Sequence, residues 1–257
     1  MSQLSLEGVY KAYYSNRRMT EARVVLEDID INIEEGEFVS IIGPSGCGKT
    51  TILNLLAGFE RPTKGSVKYN GTEIKGPSPE RGVVFQEYSL FPWMSVKGNI
   101  ELALECNNVP EKLRSDIAMD SLKKLGMGCS ADSRPNTLSG GMKQRVAIAR
   151  LLAMDSDVFL MDEPFSALDE QTRHKLDEDI VDLWKERRKT VVFVTHSVEE
   201  AIMVSTRIIM LSNSPGRIIG EWDLSKRVSK DPSLPENARL KREIMDRMPL
   251  CTCALCR

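Results

Sequence analysis

Gly43-Pro44-Ser45-Gly46-Cys47-Gly48-Lys49-Thr50 has the spacing of a loop that holds phosphate: a glycine, four residues, then Gly-Lys-Thr. Glycines let successive backbone N–H groups converge on anionic oxygens, and a helix N-terminus adds positive potential. Lys49 would reach the β- and γ-phosphates of a nucleotide, the Thr50 hydroxyl would ligate Mg2+, and Thr51 completes the nucleotide-binding set. The loop follows the apolar run Phe38-Val39-Ser40-Ile41-Ile42 and precedes a helical pattern, the context that gives the spacing its meaning.

Two further positions suit phosphate chemistry. Asp162 follows the apolar run Val158 to Met161, so it falls at the carboxyl end of a buried strand, where open α/β sheets bind ligands. An Asp there can hold Mg2+ through water. Its neighbour Glu163 either orients or deprotonates an attacking water or caps the Asp162-Glu163-Pro164 turn; beside the phosphate loop, catalysis is the stronger reading. His196 ends a second apolar run, Val191 to Thr195, and is placed for a γ-phosphate contact. After it, Ser197 to Glu200 spells a capping box, with Ser197 as N-cap and Glu200 at N3. The other histidine, His174, lies among charges and reads as surface.

The elements that must position these residues alternate. Short β-type runs include 38–42 and 65–69, and a turn is expected at Glu34-Glu35-Gly36. Residues 48–57 read as a helix stopped by Gly58. The segment from about 87 to 153 is mostly helical: Leu113, Ile117, Leu122 and Leu125 give 111–125 one apolar face, Gly126 ends it, and Ser139 caps a helix running to Met154. Buried strands return at 158–161, 190–194 and 207–211. Strands alternating with helices predict an α/β fold with a mostly parallel sheet. Beyond Asn213 the chain turns polar, and a docked hairpin and helix followed by a loose tail are expected.

Bulk properties narrow the classes. With 41% hydrophobic and 28% charged residues the chain can bury an ordinary core, and a formal net charge of −2 gives no sign of a nucleic-acid partner. The opening residues lack the pattern of an export signal, and no stretch approaches the roughly 18 apolar residues of a membrane span. Cys47, Cys106 and Cys129 read as reduced thiols. Cys251, Cys253 and Cys256 could bind Zn2+, Cu(I) or an iron–sulfur cluster with an outside ligand, but three ligands fall short of a structural zinc site. A terminus whose cysteines do nothing specific is favoured.

Leu138-Ser139-Gly140-Gly141-Met142-Lys143-Gln144-Arg145, shortly before the Asp162 strand, resembles the signature motif of ABC transporters. Gln86 matches that family's Q-loop glutamine, Ser166-Ala167-Leu168-Asp169 its D-loop, and Tyr13 the aromatic that stacks on adenine, with Tyr14 a near competitor and a plain core tyrosine the bland alternative. The resemblance covers roughly residues 3–222. It implies a P-loop NTPase, RecA-like core with an N-terminal antiparallel β subdomain and an inserted helical subdomain at about 87–153. A C-terminal extension would occupy 223–257.

The resemblance also implies a mechanism. Two copies of the chain would sandwich ATP and Mg2+, with Ser139, Gly140 and Gly141 of one copy facing the γ-phosphate held by the other. Glu163 would be general base, His196 the γ-phosphate sensor, and Thr50, Gln86 and Asp162 the metal-side ligands. Cys47 within the loop predicts inhibition by thiol reagents that ATP slows.

The stretch Leu90-Phe91-Pro92-Trp93 after Gln86 and the turn Ser214-Pro215-Gly216-Arg217-Ile218 look like the nitrate, sulfonate and taurine importer branch. That branch implies integral membrane permease subunits, indirectly an extracytoplasmic solute-binding protein, and a peripheral place on the cytoplasmic face of the cell membrane. No OB-like regulatory domain is expected after the cassette. Phe91 and Trp93 either line a groove for the permease or belong to the subdomain core. The competing readings are a soluble ABC ATPase that remodels a macromolecular complex, and a P-loop kinase or GTPase. The latter leaves Leu138 to Arg145 without a purpose.

Overall fold

The structure is a computed structural model that describes residues 2–14, 22–166, 168–227 and 234–249. Ala167 and the cysteines at 251, 253 and 256 lie outside the described residues, so the expectations placed on them are not addressed. The chain divides into two compact units, Met1–Pro77 with Arg188–Arg257, and Ser78–Arg187.

In the first unit, β1 (Ser2–Tyr14) pairs antiparallel with β2 (Ala22–Glu34) and with β4 (Lys64–Tyr69), and β5 (Thr72–Glu73) extends the sheet. Asn70 and Gly71, at φ 48° and 75°, close the β4–β5 hairpin with the left-handed geometry that favours Asn-Gly. A second set of strands is parallel: β3 (Phe38–Ile42) lies between β8 (Thr190–Val194) and β9 (Arg207–Leu211). Every residue of β3 and β8 is buried, so these strands read in sequence as apolar runs rather than as alternation. Strand β10 (Ile218–Asp223) returns antiparallel along β9.

Three helices serve these strands. Helix α1 (Lys49–Ala57) follows β3 and stops at Gly58, whose φ of 82° lets its N–H and that of Phe59 reach back to Leu55 O and Asn54 O. Helix α6 (Val198–Val204) follows β8, and α7 (Pro235–Arg247) docks on it. Ile202, Trp222, Leu224 and Ile244 share one apolar cluster there, and Trp222 Nε1 donates to Glu243 at 3.0 Å. The helix expected beyond Asn213 is α7, while the hairpin there takes its first strand, β9, from before that residue.

In the second unit, β6 (Arg81–Val84) and β7 (Val158–Asp162) pair in parallel. Helices α2 (Val96–Cys106), α3 (Glu111–Lys124) and α4 (Gly140–Ala153) pack on one another, and α5 (Glu170–Arg187) follows β7. Gly126 ends α3 as expected, with φ 67° and Met127 N–H bonded to Leu122 O.

The apolar face of α3 differs from the expectation. Leu113 is 51% exposed, and the buried stripe is Ala118, Leu122 and Leu125. At about 100° per residue, Leu113 lies about 140° around the helix from Ala118. Among the described residues no helix is long and apolar enough to cross a membrane, and no group of three or more His, Cys, Asp or Glu could hold a metal.

Candidate functional site: a phosphate loop and a carboxylate turn

Between β3 and α1 the chain passes through Gly43 to Gly48. Gly48 has φ 105°, and a Cβ there would meet Leu26 Cδ2 at 2.5 Å, so both conformation and space require glycine. No side-chain oxygen caps α1, whereas Ser95, Ser139 and Ser197 cap α2, α4 and α6 by accepting from Gly98, Met142 and Glu200 N–H. A helix whose first N–H groups lack a side-chain cap keeps donors and positive potential for an anion.

Lys49, only 5% exposed, donates from Nζ to Gly43 O at 2.8 Å and Pro44 O at 3.0 Å, so its charge is fixed against the loop. Ser45, Gly46 and Thr50 face outward, while Gly43, Cys47, Gly48 and Thr51 are buried. Cys47 is 1% exposed, its thiol packed beneath the loop, so a reagent reaches it only when the loop opens.

Tyr13 stands near the end of β1 and is 39% exposed, which removes the core alternative; Tyr14 is exposed as well. The Tyr13 hydroxyl donates to Glu60 Oε2 at 2.6 Å and lies 3.5 Å from Thr51 Oγ1, while Lys11 Nζ sits 4.9 Å from the ring centroid and 2.8 Å from Glu60. Burial, reinforced by the hydrogen bond to Glu60, pushes the Tyr13 phenol above its ordinary value. Burial would also raise the Glu60 carboxyl, but hydrogen bonds from Lys11, Tyr13 and Asn54 outweigh it and hold Glu60 below the usual range. Neither Lys11 nor Glu60 carries a signal in the sequence that marks it as a support of Tyr13.

His196 is exposed between β8 and α6. Ser197 caps α6 as expected, but the reciprocal arm of the box is relayed: Ser197 N–H donates to Thr195 Oγ1 at 3.0 Å, and that hydroxyl donates to Glu200 Oε2. A threonine just before the helix intercepts the carboxylate. The exposed position of His174 agrees with its surface reading.

The second unit holds the remaining site residues. Asp162 is the buried last residue of β7, and Glu163 follows with φ 42°, a left-handed conformation that a non-glycine residue adopts only when its surroundings impose it. The turn is closed by the Glu163 carbonyl, which accepts from the Ser166 N–H at 3.3 Å and hydroxyl at 3.1 Å. Gln86 Nε2 reaches Ser166 Oγ at 3.4 Å, so Gln86 and the Asp162–Ser166 turn meet. Asp169 caps α5, accepting from Thr172 N–H at 3.0 Å and its hydroxyl at 2.8 Å; these bonds hold its carboxyl below the ordinary range.

Ser139 Oγ accepts from Met142 N–H at 3.3 Å, and the two glycines after it pack tightly. A Cβ on Gly140 would meet the Tyr88 hydroxyl at 2.9 Å, and one on Gly141 would meet Thr172 Cγ2 at 2.8 Å. Arg150, about three turns along the same helix and unremarkable in sequence, donates to Ser89 O at 2.7 Å and thereby ties α4 to the segment after Gln86. Trp93 is 68% exposed and packs against Phe91 with ring centroids 5.3 Å apart and planes tilted by 49°, so the two form a surface pair rather than core. Buried Asn99 presents them, accepting from Phe91 N–H at 2.7 Å and donating to Phe91 O at 3.2 Å.

A family model described as "ABC transporter" matches residues 26–166. An uncharacterized ABC transporter ATP-binding protein of Methanocaldococcus jannaschii is 46% identical over 84% of this chain and 80% of its own length. The nitrate import ATP-binding protein NrtD of Synechocystis sp. is 44% identical over 86% of this chain and 83% of that protein. The bicarbonate transport ATP-binding protein CmpC of Synechococcus elongatus is 50% identical over 77% of this chain, which spans only 30% of that longer protein.

Among solved structures, a dimeric post-hydrolysis state of an ATP-binding cassette bound to ADP and Pi matches with a TM-score of 0.76 and 35% identity, over 86% of this chain and 98% of that one. These likenesses cover most of the chain, including the phosphate loop, the signature helix and the carboxylate turn. The chain therefore belongs to the ABC transporter family, as one of its ATP-hydrolysing nucleotide-binding cassettes.

Proposed function

We propose that this chain is the ATP-hydrolysing subunit of an importer for a small oxyanion, working at the cytoplasmic face of the membrane with separate permease subunits. The observation that carries the ATPase part is the uncapped N-terminus of α1 behind a glycine-shaped loop, with the buried Lys49 charge fixed against that loop. The importer part is supported by similarity to nitrate import and bicarbonate transport ATP-binding proteins, and by the exposed Phe91–Trp93 pair, which offers a permease an aromatic anchor.

In this reading Gly43 to Thr51 holds the phosphates, Tyr13 stacks on the base, and His196 senses the γ-phosphate. Glu163 takes the proton of the attacking water, so the new P–O bond forms as the bond to ADP breaks. Ser139, Gly140 and Gly141 serve the nucleotide of a second copy of the chain. The hydroxyl of Thr50, the amide oxygen of Gln86 and the carboxylate of Asp162 are hard oxygen donors that suit Mg2+, which would neutralise charge on the phosphates. The cassette would end near 222, with its helical subdomain at about 87–153 and the extension beyond.

The test is recovery of tagged Glu163→Gln protein with ATP from native membranes. A multi-span permease should come with it. Recovery of soluble proteins alone would overturn the importer reading and leave the ATPase.

A further inference from the structure

The turn between β9 and β10 lies behind the phosphate loop. Gly216, buried in that turn, is bolted to β2: its N–H donates to Val25 O at 2.7 Å, and its carbonyl accepts from Glu27 N–H at 3.0 Å. Ser212 braces the turn from inside, donating to Pro215 O at 2.9 Å and accepting from Arg217 N–H at 2.9 Å. Arg217 adds an ion pair with Glu27 at 2.8 Å. The Cα of Gly216 is thus held in place, and a methyl group on it would overlap the carbonyl oxygen of Cys47 and touch Leu26 Cδ2 at 3.2 Å.

That carbonyl belongs to the peptide plane that carries the Gly48 N–H. The plane is rigid, so the oxygen and the N–H point in opposite directions and turn together. Pressure on the oxygen from behind must rotate the donor in front. Escape is blocked on the same side, because Gly48 itself abuts Leu26 and Val25. The same stretch of β2 pairs with the strand carrying Tyr13, with Tyr13 opposite Arg23 and Lys11 opposite Leu26. One short piece of β2 therefore sets both the aromatic end and the phosphate end.

We infer that Gly216 is a positioning residue for nucleotide binding: the side chain it lacks lets the Cys47–Gly48 peptide sit with its N–H facing the phosphates. This rests on the assignment of Gly43 to Thr50 as the phosphate site. Its function is to hold a donor in orientation, with no contact to the nucleotide itself.

The test is calorimetric titration of the full chain with ATP, reading affinity and stoichiometry separately, for Gly216→Ala, Gly220→Ala and Lys49→Ala. Gly220 lies in the same hairpin, where an added Cβ would meet Trp222 and not the loop. General damage to the hairpin lowers the fraction of protein that binds; a turned donor lowers affinity at full stoichiometry.

Gly216→Ala should bind about tenfold or more weaker, the scale of a hydrogen bond to a charged group, with ATP and GTP losing the same factor. Gly220→Ala should stay within about twofold. If Lys49→Ala binds weakly but Gly216→Ala binds like the native chain, the inference falls and the phosphate site stands. If Lys49→Ala also binds normally, the phosphate site itself is wrong and the inference falls with it. Should Gly216→Ala fail to fold, Arg217→Ala, at an exposed position, carries the test: an affinity loss of about threefold supports the inference, and unchanged affinity overturns it.

Discussion

The phosphate loop of the first unit and the carboxylate turn of the second are held by different means. The loop is fixed by close approach of backbone and apolar atoms: Gly48 against Leu26, Gly216 against Cys47, and Lys49 buried on its own carbonyls. The turn holds the proposed general base, Glu163, in a left-handed conformation and is connected by long or exposed side-chain bonds such as Gln86 to Ser166 at 3.4 Å. A loop that must present several N–H groups at once gains from a packed support, because each misoriented donor weakens binding of the anion. Side chains that act on one proton or one water need less scaffold and can answer to neighbouring surfaces. The comparison separates residues whose loss abolishes binding from residues whose loss slows the reaction after binding.

The largest effect expected is on the loop. Lys49→Ala should weaken ATP binding about 100-fold, the scale of charge-assisted hydrogen bonds lost to the phosphates, measured by titration. Arg150→Ala tests the second unit. It leaves the Ser89 carbonyl without its donor and should lower unfolding free energy by about 1–2 kcal/mol in urea, while ATP affinity stays within about twofold. A tenfold loss of affinity would show that the two regions are not separable in this way.

Cys47 sharpens the contrast by accessibility. Because its thiol is buried while Cys106 and Cys129 are exposed, peptide mapping after iodoacetamide should find the latter two alkylated about tenfold or more faster. Equal rates would mean that the loop opens readily. The smallest effect concerns Glu60. Its folded pKa is depressed, so its contribution is present above the unfolded value and disappears as pH falls through the folded one. Below about pH 4 the bonds to Tyr13 and Lys11 should weaken, and Glu60→Gln should flatten that part of the pH–stability profile. At neutral pH the same variant should cost about 1 kcal/mol, because the cluster is only partly buried and Gln keeps one acceptor for its neighbours.

Much of the candidate site is legible in the sequence because its signals are local. Gly-Lys-Thr after a strand, Ser139 before two glycines, and apolar runs ending at Asp162 and Thr195 all act within a few residues. Strands β3, β8 and β9 fell where their runs of Val, Ile and Phe placed them. What was not legible depends on distant partners.

The thirteen-residue strands β1 and β2 give no run as clear as 38–42, because bulges such as that between Leu6 and Val9 break their alternation. Leu113 faces outward because α3 buries the stripe through Ala118 and Leu122. Arg150 sits in an ordinary-looking context and Gly216 in a turn whose sequence does not name its neighbour; only the fold brings them to Ser89 and Cys47. The relay through Thr195 shows the same limit at short range, since the pattern of a capping box does not say which acceptor its first N–H will choose.

The most direct test of the account compares native protein with Glu163→Gln for both MgATP affinity and steady-state hydrolysis. Loss of a positioned general base typically lowers the rate by about 100-fold or more. The account predicts a fall of that size with ATP affinity within about twofold. Hydrolysis at the native rate in Glu163→Gln would contradict it.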